Sequence, residues 1–117
     1  MGEEDELIAL NDEIGKRESA GDAPWFERLL APQFAMRRAS TVHIDRATFL
    51  AAVEPGAERH STGIEVLHQT DRTAFVTCVV TMQQTDGTSK DFRNARIFTR
   101  PARSAPWQLL GWANEPV

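Results

Sequence analysis

The sequence predicts an α+β domain in which three helices precede an antiparallel sheet. As far as about residue 53, apolar residues recur at the three- and four-residue spacing of amphipathic helices. From Gly63 onward that spacing disappears, and β-branched and aromatic residues become frequent. The turn sequence Asp86-Gly87 joins two of these β-rich segments. Helices followed by such a meander are typical of the α+β class.

The composition indicates a small soluble protein. A chain of 117 residues with 41% hydrophobic and 26% charged residues is ordinary for one globular domain, here residues 1–117. The net charge of −4 argues against a nucleic-acid partner, which needs a concentrated basic face. No apolar run approaches the roughly 20 residues that span a bilayer, so we expect no membrane partner. The single cysteine, Cys78, fits a reducing compartment, and we expect the protein in the cytoplasm.

Start and stop signals delimit the predicted helices. The first helix is predicted over residues 4–20, with Gly21 as its stop. Asp22 and Asp45 are the predicted caps of the second and third helices, because a carboxylate there accepts hydrogen bonds from free backbone N–H groups. Pro32 is expected to close the second helix. The apolar positions of the helices are Leu7, Leu10, Ile14, Trp25, Phe26, Leu29, Leu30, Phe49, Leu50 and Val53.

Strands are predicted in the remaining segments. Their ranges are 33–38, 42–44, 63–69 and 74–84, followed by a pair of strands over 91–114 with a loop at 101–106. The first of them places Phe34, Met36 and Arg38 on one face. If Asp86-Gly87 forms a two-residue turn, Val80 lies opposite Arg93, Cys78 opposite Ala95 and Val76 opposite Ile97.

That register assigns each side chain to one of the two faces of the sheet, because successive strand residues alternate. The face with Val76, Cys78 and Val80 is apolar, and we expect it to lie against the helices together with Arg93 and Asp91. The opposite face is also apolar, and a sheet that is apolar on both faces needs a second cover. We therefore predict a homodimer through this face. Its residues are Phe75, Val79, Phe92, Arg96 and Phe98.

Four segments carry a resemblance to a known family. They are Ser19-Ala20-Gly21-Asp22 with residues 25–34, then residues 45–50, 94–98 and 107–117. In this order they resemble the nuclear transport factor 2-like superfamily, particularly its small bacterial polyketide cyclase-like (SnoaL-like) domains of unknown function. The resemblance implies a cystatin-like cone, in which a curved, antiparallel or mixed sheet wraps around three N-terminal helices. It also implies a cavity at the open end and commonly a dimer, but the fold hosts many enzymes and binders and leaves the function open.

Common catalytic and metal-binding motifs are absent from the sequence. It contains no G-x-S-x-G, no glycine-rich phosphate loop and no H-E-x-x-H. The spacing of His43, His60 and His68 is not that of a recognised metal site. We therefore expect neither a metal nor a cofactor.

Acid–base chemistry has weak candidates in His43, Asp91 and Arg93. Ketosteroid isomerases of the resembling family use a Tyr hydroxyl, and this chain has no Tyr. The family's epoxide hydrolases use an Asp-Arg-Asp set, of which Asp91 and Arg93 could supply two members. Alternatively, Asp91 and Arg93 form an ion pair at the rim of the sheet, and His43 lies on the surface.

A mostly apolar pocket with few polar groups is expected in the cone. Cys78 is interpreted as a small core residue rather than a nucleophile, because its neighbours Val76 and Val80 are apolar. Arg93 and Asn114 are the predicted polar contacts, which favour an anionic or carbonyl-bearing ligand. The complete predicted pocket consists of Trp25, Phe34, Met36, Phe49, Cys78, Val80, Arg93, Trp112 and Asn114.

Three functions are compatible with these patterns. The first hypothesis is a domain that binds an unidentified small, largely apolar molecule without established catalysis. The second is a small lyase, isomerase or hydrolase, which should place a carboxylate or His at a sizeable cavity. The third is a dimerisation or adaptor module, whose cone should be filled by Trp25, Phe49 and Trp112.

Overall fold

The computed structural model describes residues 2–117, apart from the side chain of Glu3. Its elements are α1 (Glu3–Ala20), α2 (Ala23–Leu29), β1 (Leu30–Arg37), β2 (His43–Asp45), α3 (Arg46–Ala52), β3 (Arg59–Gln69), β4 (Thr73–Gln83), β5 (Ser89–Thr99) and β6 (Gln108–Pro116). The predicted α+β class is confirmed. None of the described helices is long and apolar enough to cross a membrane.

The predicted helix stop and the two predicted helix caps are present in the structure. Gly21 ends α1 with a φ of 69°, in the left-handed region that favours glycine. Asp22 Oδ1 accepts a hydrogen bond from the backbone N–H of Trp25 at 3.2 Å. Asp45 Oδ1 accepts one from the backbone N–H of Thr48 at 2.9 Å. These caps fix the starts of α2 and α3, which have only seven residues each.

All six strands belong to one sheet, in the order β2-β1-β6-β5-β4-β3. Strands β1 and β6 run parallel, and the other neighbouring pairs run antiparallel. The long helix α1 packs against β3, while α2 and α3 contact β6 and β1. The curved mixed sheet therefore wraps around the helices as the resemblance implied.

Two predicted boundaries differ from the structure. Pro32 does not close α2, which ends earlier; it lies in β1, in the irregular stretch between Leu30 and Ala35. A proline is tolerated there because the local loss of regular pairing removes the need for its N–H. Strand β3 begins at Arg59, before the predicted start at Gly63, because the preceding residues pair with the end of β4. This extension brings Arg59 into the sheet.

The hairpin between β4 and β5 has a longer loop than predicted. The Gln84 N–H donates to the Thr88 carbonyl oxygen at 2.7 Å, so three residues form the loop between them. The last of the three, Gly87, has a φ of 89°, the left-handed conformation that such three-residue loops require. The predicted two-residue turn is therefore wrong by one residue.

The longer loop shifts β5 by one position and exchanges its two faces. Val80 lies opposite Phe92, and Val76 lies opposite Arg96. The side chains that β5 turns towards the helices are Phe92, Asn94, Arg96 and Phe98. The prediction that Arg93 faces the helices is wrong, since Arg93 is exposed on the outer face.

The predicted dimer face is wrong for the same reason at Phe92, Arg96 and Phe98. These three side chains point inward, and Arg96 and Phe98 are almost completely buried. Phe75 and Val79 of β4 lie on the outer face, where the predicted alternation put them. The outer face therefore combines Phe75 and Val79 with Arg93, Ala95 and Ile97.

Aromatic side chains fill the closed part of the cone. The ring centroid of Phe49 lies 5.1 Å from that of Phe26, 5.6 Å from Phe34 and 5.8 Å from Trp112. These four side chains are at most 3% exposed. Tilted and edge-on ring contacts add about 0.5–1.5 kcal/mol each beyond the area they bury. The cluster anchors both short helices and β1 against β6.

Candidate functional site

A cavity of about 220 Å³ lies between the end of α1 and the inner face of the sheet. Its lining residues are Glu18, Arg38, Ala39, Ser40, Arg59, Val80, Met82, Phe92, Asn94 and Asn114. A second cavity of about 190 Å³ shares Glu18, Arg38 and Arg59 and extends to Phe49. The three charged residues therefore form the boundary between the two cavities.

Glu18 and Arg59 form an ion pair in the wall of the cavity. Arg59 Nε lies 3.3 Å from Glu18 Oε1, and each side chain is only 17% exposed. The backbone N–H of Arg59 donates to Ser19 Oγ at 3.0 Å, and its Nη1 donates to the Ala57 carbonyl oxygen at 3.0 Å. These contacts join β3 to the last turn of α1 and hold the Arg59 guanidinium beside the cavity.

Arg38 supplies a second guanidinium to the same wall. It follows β1 in a tight turn, where its N–H donates to the Val42 carbonyl oxygen and its carbonyl oxygen accepts from the Thr41 N–H, both at 2.8 Å. Thr41 has a φ of 73°, an uncommon conformation for a β-branched residue. Within residues 2–117, the described contacts give the Arg38 side chain no hydrogen bond and no ion pair within 4 Å. Its charge is therefore open to a ligand.

The electrostatics of this wall are dominated by arginine. Burial raises the pKa of the Glu18 carboxyl, and the positive charges of Arg59, Arg96 and Arg38 oppose that rise. Guanidinium groups outnumber carboxylates around the first cavity, although the chain carries a net charge of −4. The cavity is thus a locally positive site in an acidic protein.

Arg96 lies behind the cavity wall and is fully buried. Its Nη1 donates to Asn11 Oδ1 at 3.1 Å, and its Nη2 donates to Asn94 Oδ1 at 3.4 Å. The guanidinium carbon lies 4.6 Å from the ring centroid of Trp112, in a cation–π contact. Burial lowers the pKa of Arg96, but a guanidinium stays charged because its ordinary pKa is so high.

Asn94 connects this buried charge to the cavity. Its Oδ1 accepts hydrogen bonds from Trp112 Nε1 at 2.6 Å and from Arg96, so the amide is held in place. Asn114 lies opposite Asn94 on β6, and its buried Oδ1 has no hydrogen-bond partner among the described residues. A side-chain amide in this position can serve a polar ligand group as donor or acceptor.

The residues of the predicted pocket are distributed over several places. Val80 and Asn114 line the first cavity, and Phe49 lines the second. Phe34, Met36 and Trp112 are buried core residues. Trp25 lies away from the cavity, half-buried beside Leu10 and Trp107. Burial raises the pKa of the Cys78 thiol, as expected for a core cysteine.

The three weak catalytic candidates are not brought together at the cavity. His43 is exposed on β2, and Arg93 is exposed on β5. Asp91 is exposed and accepts a hydrogen bond from Thr81 Oγ1 at 2.7 Å. Within the described part of the chain, no group of three or more His, Cys, Asp and Glu residues is arranged to hold a metal ion.

Sequence reasoning missed Glu18 and Arg59 as site residues. The signal for Glu18 was present in α1, because Leu7, Asn11, Ile14 and Glu18 repeat at spacings of four, three and four. A polar residue that continues an apolar helical stripe is buried against something polar. Arg38 had a similar signal, since it continues the face of Phe34 and Met36. For Arg59 no comparable pattern exists, because its strand was not predicted to extend so far.

Comparison with known proteins gives a fold and no closer relationship. No family model and no curated protein sequence matches the chain. An NTF2-like protein of unknown function in nutrient uptake from Rhodospirillum rubrum is similar in structure, with a TM-score of 0.78, 20% identity, and coverage of 94% of this chain and 98% of that one.

Two further similar structures have CaMKII in their names. The CamKII hub homology domain of Chlamydamonas reinhardtii has a TM-score of 0.79 at 15% identity, covering 100% of this chain and 99% of that one. The association domain of C. elegans CaMKII has a TM-score of 0.76 at 11% identity, covering 95% and 93%. At such identities the likeness concerns the fold alone, and the chain has the nuclear transport factor 2-like fold.

Proposed function

We propose that the protein binds a small organic anion in the cavity between α1 and the sheet. The observation that carries this proposal is the unpaired Arg38 guanidinium next to the Glu18–Arg59 ion pair. A guanidinium in a partly buried site favours a carboxylate, sulfonate or phosphate oxygen, because charge-assisted hydrogen bonds strengthen as water is excluded. The overall charge of −4 makes this local positive site selective rather than a general anion-binding surface.

The cavity dimensions restrict the ligand to a small molecule. A volume of about 220 Å³ lies below the usual range of drug-sized pockets. Val80, Met82 and Phe92 provide apolar surface on the sheet side, opposite the charged groups. The expected ligand is therefore amphiphilic, with one anionic group and a small apolar body. The sequence suggested a largely apolar ligand with an anionic or carbonyl group. This proposal keeps the anionic group and limits the apolar part to a small body.

The enzyme hypothesis and the dimerisation hypothesis each require features of which the protein has only some. Glu18 is a carboxylate at the cavity, as the acid–base hypothesis requires, but it is the ion-pair partner of Arg59. Phe49 and Trp112 fill the closed part of the cone, as a pure dimerisation module requires, but Trp25 lies elsewhere and the cavity is open. Anion binding is the function that uses all the charged groups of the wall.

Isothermal titration with benzenesulfonate tests the proposal, with neutral benzenesulfonamide as a probe of matched shape. We expect the wild type to bind the sulfonate and not the sulfonamide. Arg38→Met should weaken sulfonate binding at least about tenfold, because a charge-assisted hydrogen bond contributes on the order of 1.5–3 kcal/mol. Arg37→Met is the matched control, since Arg37 pairs with Glu115 at 3.3 Å outside the cavity, and it should leave the affinity within about twofold.

Equal binding of both probes, or equal affinity of wild type and Arg38→Met, would refute an anion site at Arg38. An equal loss in Arg37→Met would point to a non-specific charge effect and would also refute it.

A second candidate function is self-association through the outer face of the sheet. There a shallow groove, here called the outer groove, is lined mainly by small and apolar side chains. Its lining includes Ala35, Phe75, Ala95, Ile97 and Ala113. Phe75 is 39% exposed on the outer face of β4 and adds a large apolar surface to the outer groove. The names of two similar structures, an association domain and a hub homology domain, support the same candidate.

Sedimentation velocity tests self-association. We expect the wild type to sediment as a dimer at micromolar concentration and Phe75→Asp to sediment as a monomer, because a buried unpaired carboxylate opposes contact. Leu67→Asp is the control, since Leu67 is 56% exposed on the edge strand β3 and does not line the outer groove. A monomeric wild type, or a Phe75→Asp variant that stays dimeric, would contradict this candidate.

A further inference from the structure

Glu18 occupies an unusual position for a carboxylate. It belongs to the last turn of α1, and its side chain lines both cavities. Its only ion-pair partner in the described part of the chain is Arg59, at 3.3 Å. Any ligand anion that approaches Arg38 and Arg59 must therefore come close to an existing negative charge.

Charged and titratable groups approach Glu18 from several neighbouring elements of the fold. Arg59 approaches from β3, Arg38 from the end of β1, and Arg96 from β5. Cys78 of β4 lies near Arg96, and its thiol is neutral because burial raises its pKa. Glu54, after α3, is exposed and lines only the second cavity. Glu18 is thus the acid that shares the first cavity with the arginines.

The surroundings of Glu18 already disfavour its ionised form. Burial raises the pKa of this carboxyl more than the charges of Arg59, Arg96 and Arg38 together lower it. A second anion in the same cavity raises it further, since a nearby like charge always disfavours ionisation. The bound anion raises the pKa of Glu18 whether the effect is large or small. Anion binding and protonation of Glu18 must therefore favour each other.

We propose that Glu18 determines the charge of the ligand: the cavity takes up a small monoanion together with one proton, which Glu18 holds. In the bound state the neutral Glu18 carboxyl donates a hydrogen bond to an oxygen of the anion, while the guanidinium groups of Arg38 and Arg59 supply the remaining donors. The net charge of the cavity is then the same before and after binding. This inference rests on the proposed anion-binding function.

The ligand class follows from these three donors. A carboxylate, a sulfonate or a phosphate diester offers acceptor oxygens to all of them. A group that presents N–H or O–H donors in place of these acceptor oxygens cannot pair with the three donors. Glu18 is accordingly a specificity-determining residue, and Arg38 and Arg59 provide the affinity.

Titration calorimetry with benzenesulfonate between pH 5 and pH 8 tests the inference, because a sulfonate stays ionised over this range. We expect the wild-type dissociation constant to fall about tenfold or more from pH 8 to pH 5. A single linked proton changes affinity by at most about tenfold per pH unit, so the fall stays below about a thousandfold. Glu18→Gln, whose amide imitates the neutral carboxyl, should bind with the low-pH affinity at every pH. Glu54→Gln, the control at the second cavity, should follow the wild type.

A second measurement requires no variant. Wild-type titrations at one pH in two buffers of different ionisation enthalpy report the protons taken up, and we expect an uptake of up to one proton per sulfonate. Absence of uptake, or a Glu18→Gln variant with the same pH dependence as the wild type, would overturn the inference while leaving anion binding intact. Failure of the wild type to bind benzenesulfonate at any pH would overturn the proposed function and this inference with it.

Discussion

Replacement of Arg96 by alanine is expected to lower the free energy of unfolding by about 3–5 kcal/mol. The side chain is fully buried and donates hydrogen bonds to Asn11 and Asn94. Its loss leaves Asn11 Oδ1 without its described donor, at about 1–3 kcal/mol for an unsatisfied buried group, and removes one of the two donors of Asn94 Oδ1, which keeps Trp112 Nε1. It also removes the cation from the ring of Trp112 and opens a void beside it. Urea denaturation followed by tryptophan fluorescence measures this change.

Arg93→Ala is the matched control, because it removes the same kind of side chain three residues away on the opposite face of β5. Arg93 is exposed on the outer face, so this variant should differ from the wild type by less than about 0.5 kcal/mol. Similar stabilities of the two variants, or a greater loss in Arg93→Ala, would mean that the register of β5 is not the one described.

Gly21→Ala is expected to destabilise the protein by about 3 kcal/mol or more. Gly21 has a φ of 69°, and a Cβ at this position would lie 2.6 Å from the backbone carbon of Glu54 and 2.5 Å from Cδ of Pro55. Both neighbours belong to the segment after α3, so that segment would have to move. Gly87→Ala is the control, because Gly87 also has a positive φ, +89°, but a Cβ there meets nothing within 4 Å.

The control separates conformational strain from steric overlap. Gly87→Ala should lower the free energy of unfolding by only about 1 kcal/mol, which is the cost of an alanine in the left-handed conformation. Thermal unfolding of both variants provides the comparison. Equal losses in the two variants would indicate that α1 and the segment after α3 are not in close contact at Gly21.

Local signals predicted much of the fold correctly. As helix signals, Gly21, Asp22 and Asp45 act through groups within four residues of themselves, so their effect is readable from the sequence alone. Alternation along β4 identified Val76, Cys78 and Val80 as inward residues for the same reason. These interactions need no knowledge of distant parts of the chain.

The register of β5 was not readable in this way. An Asp-Gly pair suits both a two-residue turn and the last two positions of a three-residue loop, and the two differ by one residue. The alternation of β5 did not decide between them, because each face carries an arginine next to apolar side chains, Arg93 beside Ile97 and Arg96 beside Phe98. Tertiary contacts of Arg96 with Asn11 and Trp112 settle the choice.

The candidate site depends on residues far apart in sequence, and this explains why it was largely missed. Glu18 and Arg59 are adjacent only because β3 crosses the end of α1. Asn114, by contrast, was named from the sequence and also lines the cavity, since it lies on the last strand in either register. The predicted anionic character of the ligand is retained in the proposal, but the arginines that support it are Arg38 and Arg59 instead of Arg93.

A crystal structure of the protein with benzenesulfonate tests the anion-binding cavity most directly. The predicted result is one sulfonate group within hydrogen-bond distance of Arg38 and Arg59, with the ring against Val80 and Phe92. An empty cavity at saturating ligand, or a sulfonate bound only at exposed arginines such as Arg93, would contradict the account.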